Sequence, residues 1–169
     1  MVQTLSDFFR ASLNSGKDIV SLEGECRHIT SYLQIQQVRY QDILTYDVDI
    51  PEEIANCKIP KITLQPLVEN ALYHGIKNKR GKGRIVVTGR REKDKCVIRV
   101  EDNGIGMTKE RLNQVRGGLT TKIEDSNDFY GLYNVNERIR LKFGEGYGLS
   151  IDSVLQEGTC VEVWLPWES

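Results

Sequence analysis

The apolar side chains of this chain change period several times, and each change marks an element. Leu22, Cys26, Ile29 and Leu33, with Gln36 continuing the series, recur at three- and four-residue intervals over residues 21–40, the spacing of one helix face. Ser21, with Glu25 close behind, reads as the cap that starts this helix. A second helical pattern covers residues 4–14, and Asn14-Ser15-Gly16-Lys17 separates the two. Leu44 to Ile50 alternates apolar and polar residues without a slip, which predicts a strand with one buried face, and Pro51 ends it. Helical spacing returns from Thr63 to Ile76, where Leu64, Leu67, Val68, Ala71 and Leu72 share a stripe and the polar pair Glu69-Asn70 sits beside it.

Arg84–Arg90 and Cys96–Asp102 read as two strands of a hairpin joined by the charged turn Arg91–Lys95. Thr108 caps a short helix ending near Val115. From Arg116 to Tyr130 no period survives, which predicts a mobile loop. Gly131 then opens a helix carrying Leu132, Val135, Ile139 and Phe143, closed by Gly144–Gly148. Strands at Leu149–Leu155 and Thr159–Leu165 flank the turn Gln156-Glu157-Gly158. Strands clustered in hairpins with helices between them predict an α+β two-layer sandwich with a mixed sheet, because a doubly wound fold alternates more strictly.

A length of 169 residues suits one domain with an extension. The net charge of -1 supplies no field to hold a polyanion, so nucleic acid is not an expected partner. Cys26, Cys57, Cys96 and Cys160 are widely spaced, with only two histidines in the chain, which speaks against a zinc site or a disulfide framework and for a reducing compartment, the cytoplasm. No apolar run approaches the ~20 residues that cross a bilayer.

Three features carry chemistry. Asp102 ends a strand and is followed by Asn103-Gly104-Ile105-Gly106-Met107. Such a turn is also a common tight turn, but its glycines permit backbone to touch a flat ring while the carboxylate accepts from an exocyclic amine. Glu69-Asn70 lies on a helix with His74 one turn on; an amide oxygen suits the hard Mg²⁺ ion, and a buried Asn capping a loop is the plain alternative. Gly131-Leu132 at a helix start and Gly158-Thr159 before the last strand complete the set, the former offering backbone N–H groups to phosphate.

In this order and spacing the pieces resemble the nucleotide-binding boxes of the GHKL ATPases, whose Bergerat fold is shared by gyrase, MutL and sensor histidine kinases. The resemblance runs from about Leu44 to Pro166. Leu64-Gln65-Pro66-Leu67-Val68-Glu69-Asn70-Ala71-Leu72-Tyr73-His74-Gly75 is similar to the N box, and Glu101–Met107, Gly131-Leu132 and Gly158-Thr159 are similar to the glycine boxes. Gly131-Leu132-Tyr133-Asn134-Val135-Asn136-Glu137-Arg138-Ile139, together with Tyr32–Gln36 and Arg39-Tyr40, resembles the LytS-type sensor histidine kinases.

The resemblance implies a mostly antiparallel sheet with helices on one face. Residues 1–42 become the later part of a dimerising, phosphoaccepting hairpin, and residues 43–169 the ATP-binding catalytic domain. It also implies that Asn70 coordinates Mg²⁺, that Asp102 reads the adenine amine, and that Gly104, Gly106 and Met107 shape the adenine floor. His74 lies against the base, with Tyr73 beside it. Thr159 supports Asp102 through its hydroxyl or a water, Gly131 and Leu132 meet the phosphates, and Arg116–Tyr130 is the lid. Two positions depart from the pattern: Phe129 stands at the usual first glycine of the second glycine box, and Tyr73 where a lysine is frequent, leaving Lys77, Lys79 or Lys122 as candidate phosphate cations.

Related hydrolases place a water-activating glutamate one turn before the metal-binding Asn, where this chain has Pro66. Glu69, adjacent to Asn70, is the remaining catalytic candidate, about 100° around the helix, so slow or absent hydrolysis is expected. No Asn-Pro-His-Phe acceptor motif is present, and His28 reads as a helix-surface histidine. The expected substrate is therefore a histidine upstream in the intact protein, a homodimeric, membrane-anchored sensor that relays the phosphoryl group to a response regulator. A non-catalytic adenine-nucleotide sensing module and a serine kinase of the anti-sigma type are the alternatives.

Overall fold

The computed structural model describes residues 18–41, 43–77, 79, 81–121 and 130–167. The helical pattern of residues 4–14, most of the expected lid, Lys122 and Phe129 lie outside the described residues.

β1 (Ile19–Ser21) leads into α1 (Leu22–Arg39), and Ser21 Oγ accepts from the Gly24 N–H at 3.1 Å. Glu25 is not part of this cap; its side chain is buried and reaches a different helix. A helix inside a protein draws most of its stability from packing, the 18-residue α1 included. Burying Leu22, Ile29 and Leu33, each contributing on the order of 2 kcal/mol, fixes α1 into the same core as Leu64, Leu67 and Ile98.

β2 (Leu44–Val48) is followed by a 3-10 turn (Glu52–Ile54) and β3 (Lys58–Pro60), which pairs with β1 in a small antiparallel sheet. Neither β1 nor β3 has enough residues to show a period. α2 (Leu64–Asn70) runs into a π-helical turn (Ala71–Ile76), closed by the Lys77 N–H on the Leu72 carbonyl at 2.8 Å. β4 (Gly83–Glu92) and β5 (Lys95–Asp102) form the expected hairpin, with its turn narrowed to Lys93-Asp94. α3 (Lys109–Gly118) starts at the Thr108 cap, whose hydroxyl accepts from the Arg111 N–H at 3.1 Å. It continues three residues past Val115, so Arg116–Gly118 belongs to helix rather than loop. α4 (Tyr130–Phe143), β6 (Gly148–Val154) and β7 (Gly158–Pro166) complete the chain.

The main sheet has the order β2-β4-β5-β7-β6, antiparallel except for the parallel pair β2–β4. The helices cover one face. Alternation sends Ile85, Val87, Ile98, Val100, Val161, Val163 and Ile151 toward them, all buried. On the other face Arg90 and Lys95 each lie 5.7 Å from the Trp164 ring. Beneath Arg90 and Trp164, Val97 is fully buried on that outer side.

Asn136 of α4 joins three elements. Its Nδ2 donates to the Leu119 carbonyl at 2.9 Å, just past α3, and its Oδ1 accepts from the Leu149 N–H of β6 at 2.8 Å. Asn136→Ala leaves both backbone groups without that partner and is expected to destabilise the chain by about 2–4 kcal/mol, measured by urea denaturation.

Candidate functional site

Period two along β5 decides where Asp102 points. Cys96, Ile98 and Val100 turn inward, so the same parity aims the Asp102 carboxylate at the helix layer. Thr159 is its register partner on β7 and shares the inward parity of Val161 and Val163. Asp102 and Thr159 open onto a cavity whose sheet side is Val100, Val161 and Ile151, and whose helix side is Leu67, Asn70, Ala71, His74 and Gly75. Gly106, Met107, Val115 and Leu132 close it.

α2 and its π-helical turn present two stripes about 100° apart. Asn70 and His74, four residues apart, face the cavity. Gln65, Glu69 and Tyr73 form the other stripe, toward α1. Glu69 Oε1 accepts from Gln65 Nε2 at 2.9 Å, and Tyr73 hydrogen-bonds to Tyr32 while Lys77 Nζ lies 5.5 Å over its ring. Neither Glu69 nor Tyr73 lines the cavity. His28 is not at the helix surface: it is buried, with Nε2 2.5 Å from Gln65 Oε1.

The Gly-rich turn is held by close backbone contacts. A Cβ on Gly75 would lie 2.6 Å from Asp102 Oδ1, and one on Gly104 would overlap the Gly75 backbone. Gly104 therefore packs on the helix end and is not part of the cavity wall. Gly106 has φ +66° and lines the cavity, a conformation that favours glycine. Met107 N–H donates to Ser153 Oγ at 2.9 Å, and the Thr159 hydroxyl pairs with the same Ser153 oxygen at 2.9 Å. It is the Thr159 backbone N–H that bonds Asp102, where the resemblance implied its hydroxyl or a bridging water. Leu132 lines the cavity, while Gly131 lies beside Pro66, to whose Cβ its own Cβ would come within 3.5 Å.

Burial pushes the Asp102 carboxyl from its ordinary 3.8 up to about 6. Hydrogen bonds from the Gly104 N–H (2.8 Å) and the Thr159 N–H, with the charge of Lys79, oppose this without cancelling it. Lys79 Nζ itself donates to the Asn103 carbonyl at 2.7 Å. Lys79, a candidate phosphate cation in the sequence, thus sits at the Asp102 turn, whereas Gly75 and Ser153 were not among the expected working residues. Gly75 carried a signal all the same, as a glycine inside a helical pattern.

An acceptor aimed into an apolar, glycine-walled cleft fits a flat heterocycle bearing an amino group. No group of three or more His, Cys, Asp or Glu able to hold a metal occurs among the described residues. Asn70 offers the cavity one amide oxygen, a donor suited to a hard cation that takes its other ligands from phosphates and water. No helix among the described residues is long and apolar enough to cross a membrane.

Residues 60–169 match the family described as histidine kinase-, DNA gyrase B- and HSP90-like ATPases. The chain belongs to that family. Residues 1–44 of this ATPase-family member also match a family described as histidine kinase. It is 34% identical over 167 residues to the sensor histidine kinase BtsS of Escherichia coli, with 99% of this chain and 27% of that protein covered. It is 36% identical to the sensor histidine kinase YesM of Bacillus subtilis, covering 98% of this chain and 27% of YesM. The chain thus spans about a quarter of the length of these relatives. The histidine kinase domain of a blue-light activated kinase from Erythrobacter litoralis has the same fold, with TM-score 0.63 at 16% identity over 98% of this chain and 72% of that one.

Because the folded carboxyl holds its proton more tightly than the unfolded one, the stability Asp102 contributes is fully present below about pH 4 and lost as pH rises through about 6. A carbon-detected NMR titration of Asp102 in the nucleotide-free ATPase domain is expected to give a midpoint near 6, and Asp102→Asn to remove this component from the pH dependence of unfolding. A midpoint at the ordinary carboxylate value excludes this account.

Proposed function

We propose that the chain binds Mg-ATP and transfers its γ-phosphoryl group to a histidine on a helical hairpin upstream in the intact protein, for relay to a response-regulator aspartate. The observation that carries this is the inward Asp102 carboxylate in the glycine-walled cavity, with Asn70 on the same cavity. In this reading Asp102 accepts from the adenine exocyclic amine, Gly75 and Gly106 leave room for the ring, and Met107 and His74 flank it. Asn70 supplies the protein oxygen to Mg²⁺, which when bound neutralises phosphate charge. Gly131 and Leu132, at the start of α4, stand at the phosphate end. Residues 1–42 carry the end of the hairpin and residues 43–169 the ATP-binding domain, with α1 as the joint.

The transfer breaks the bond between the γ-phosphorus and its bridging oxygen, leaving ADP, and forms a phosphorus–nitrogen bond on the acceptor imidazole, which loses its proton. Pro66 places no base one turn before Asn70, and Glu69 turns toward α1, so water is not activated. The names of BtsS and YesM as sensor histidine kinases support the reading. A homodimeric, membrane-anchored sensor is the proposed setting.

Asp102→Asn replaces an ionic acceptor by an amide and is expected to weaken ATP binding by about tenfold or more in a calorimetric titration. Unchanged affinity overturns the adenine assignment. With labelled ATP and a separate hairpin bearing the acceptor histidine, acid-labile phosphate is expected on the hairpin. Acid-stable label on a partner instead indicates a hydroxyl acceptor, and binding without any transfer indicates a sensing module. Hydrolysis in the absence of the hairpin is expected to be slow or undetectable; steady turnover lost in Glu69→Ala contradicts the role given to Pro66.

A further inference from the structure

The turn that starts α2 is gripped by a carboxylate from another helix. Glu25 is only 3% exposed, and both of its oxygens are engaged at one place. Oε1 accepts from the Ile62 N–H at 2.8 Å, and Oε2 accepts from the Thr63 and Leu64 N–H groups at 3.1 Å each. A buried carboxylate is costly unless hydrogen-bonded, and the first N–H groups of a helix lack intrahelical partners and lie at its positive end. Each need answers the other across 37 to 39 residues of sequence.

The same turn is held from a second side. Ile62 has φ 59°, a conformation that a β-branched residue rarely adopts. Arg138 of α4 donates Nη1 to the Lys61 carbonyl and Nη2 to the Ile62 carbonyl, both at 2.7 Å. Further along α1, His28 meets Gln65 and Tyr32 meets Tyr73. Glu25, His28 and Tyr32 lie on one face of α1, so polar contacts fix α1 against α2 in a single register, which an apolar seam leaves freer to slide.

We propose that Glu25 is a positioning residue for the nucleotide site: it sets where α2 begins, and through that helix where Asn70 meets the phosphate end. The inference rests on the roles proposed above for Asn70 and Asp102. At its far end the helix is pinned by Gly75 against Gly104, while Asp102 belongs to the sheet. Loosening the Glu25 end therefore displaces Asn70 more than Asp102, and the two ends of the ligand report separately.

The test compares the 169-residue chain with Glu25→Gln, titrating each with adenosine, with ATP plus chelator and with Mg-ATP. Losing a charge-assisted grip on three N–H groups is expected to weaken Mg-ATP by about tenfold, with adenosine affinity unchanged. Amide exchange without nucleotide is expected to accelerate at Ile62, Thr63 and Leu64 and not in β5 or β7. Equal loss of adenosine and Mg-ATP, with protection lost throughout, makes Glu25 merely structural and overturns the proposal; so do affinities that match the parent. If Glu25→Gln does not fold, Arg138→Lys, at an exposed residue of α4 that grips the same turn, takes its place, and a parent-like ratio of Mg-ATP to adenosine affinity overturns the proposal. A parent that binds neither ligand sinks the nucleotide reading and this inference together, whereas a binding parent with an indifferent variant sinks the inference alone.

Discussion

At the end of β5 two backbones approach so closely that neither tolerates a side chain. Gly75 on the π-helical turn lies against Asp102 and Gly104, and a Cβ on either glycine meets the other segment. That contact brings the helix carrying Asn70 and His74 down onto the strand end. It also buries the Asp102 carboxylate enough to lift its proton affinity. Gly158, with φ +131°, makes a similar approach from β7, where a Cβ would run into the Asp102 carbonyl. The cavity is the space left between surfaces that meet at these points.

The helix above the cavity serves two neighbours at once. Its Asn70–His74 stripe looks at the cavity, and its Gln65–Glu69–Tyr73 stripe looks at α1. Adjacent residues on a helix differ by about 100° in direction, so Glu69 and Asn70, neighbours in sequence, belong to different interfaces. One faces bound ligand in the proposed reading, and the other faces the segment that leads back toward the upstream hairpin.

Much of this was legible because it is local. The alternation that starts at Leu44, the paired strands before and after Arg91–Lys95, and the Thr108 cap depend on neighbours a few residues apart; each stands in the structure, the first strand ending at Val48, two residues short of Ile50. The parity that aims Asp102 inward is local as well. What the sequence concealed depends on distant partners. Glu25 reads as a cap for its own helix because Ser21 is close, yet it serves a turn 37 residues away. His28 looks like a surface residue until Gln65 covers it. β1 and β3 are three residues each and exist only because each pairs with the other. The family resemblance supplied what spacing alone left open, since Asp102-Asn103-Gly104 by itself is an ordinary turn.

Among the described residues the helices lie on one side of the main sheet, and a bare sheet face on the other side invites apolar surfaces. Here Arg90 and Lys95 lie on either side of the Trp164 ring, with Val97 buried beneath it. The indole shields the strands beneath it, and the two cations keep its surroundings polar. The outer surface thus behaves as a wall instead of an adhesive.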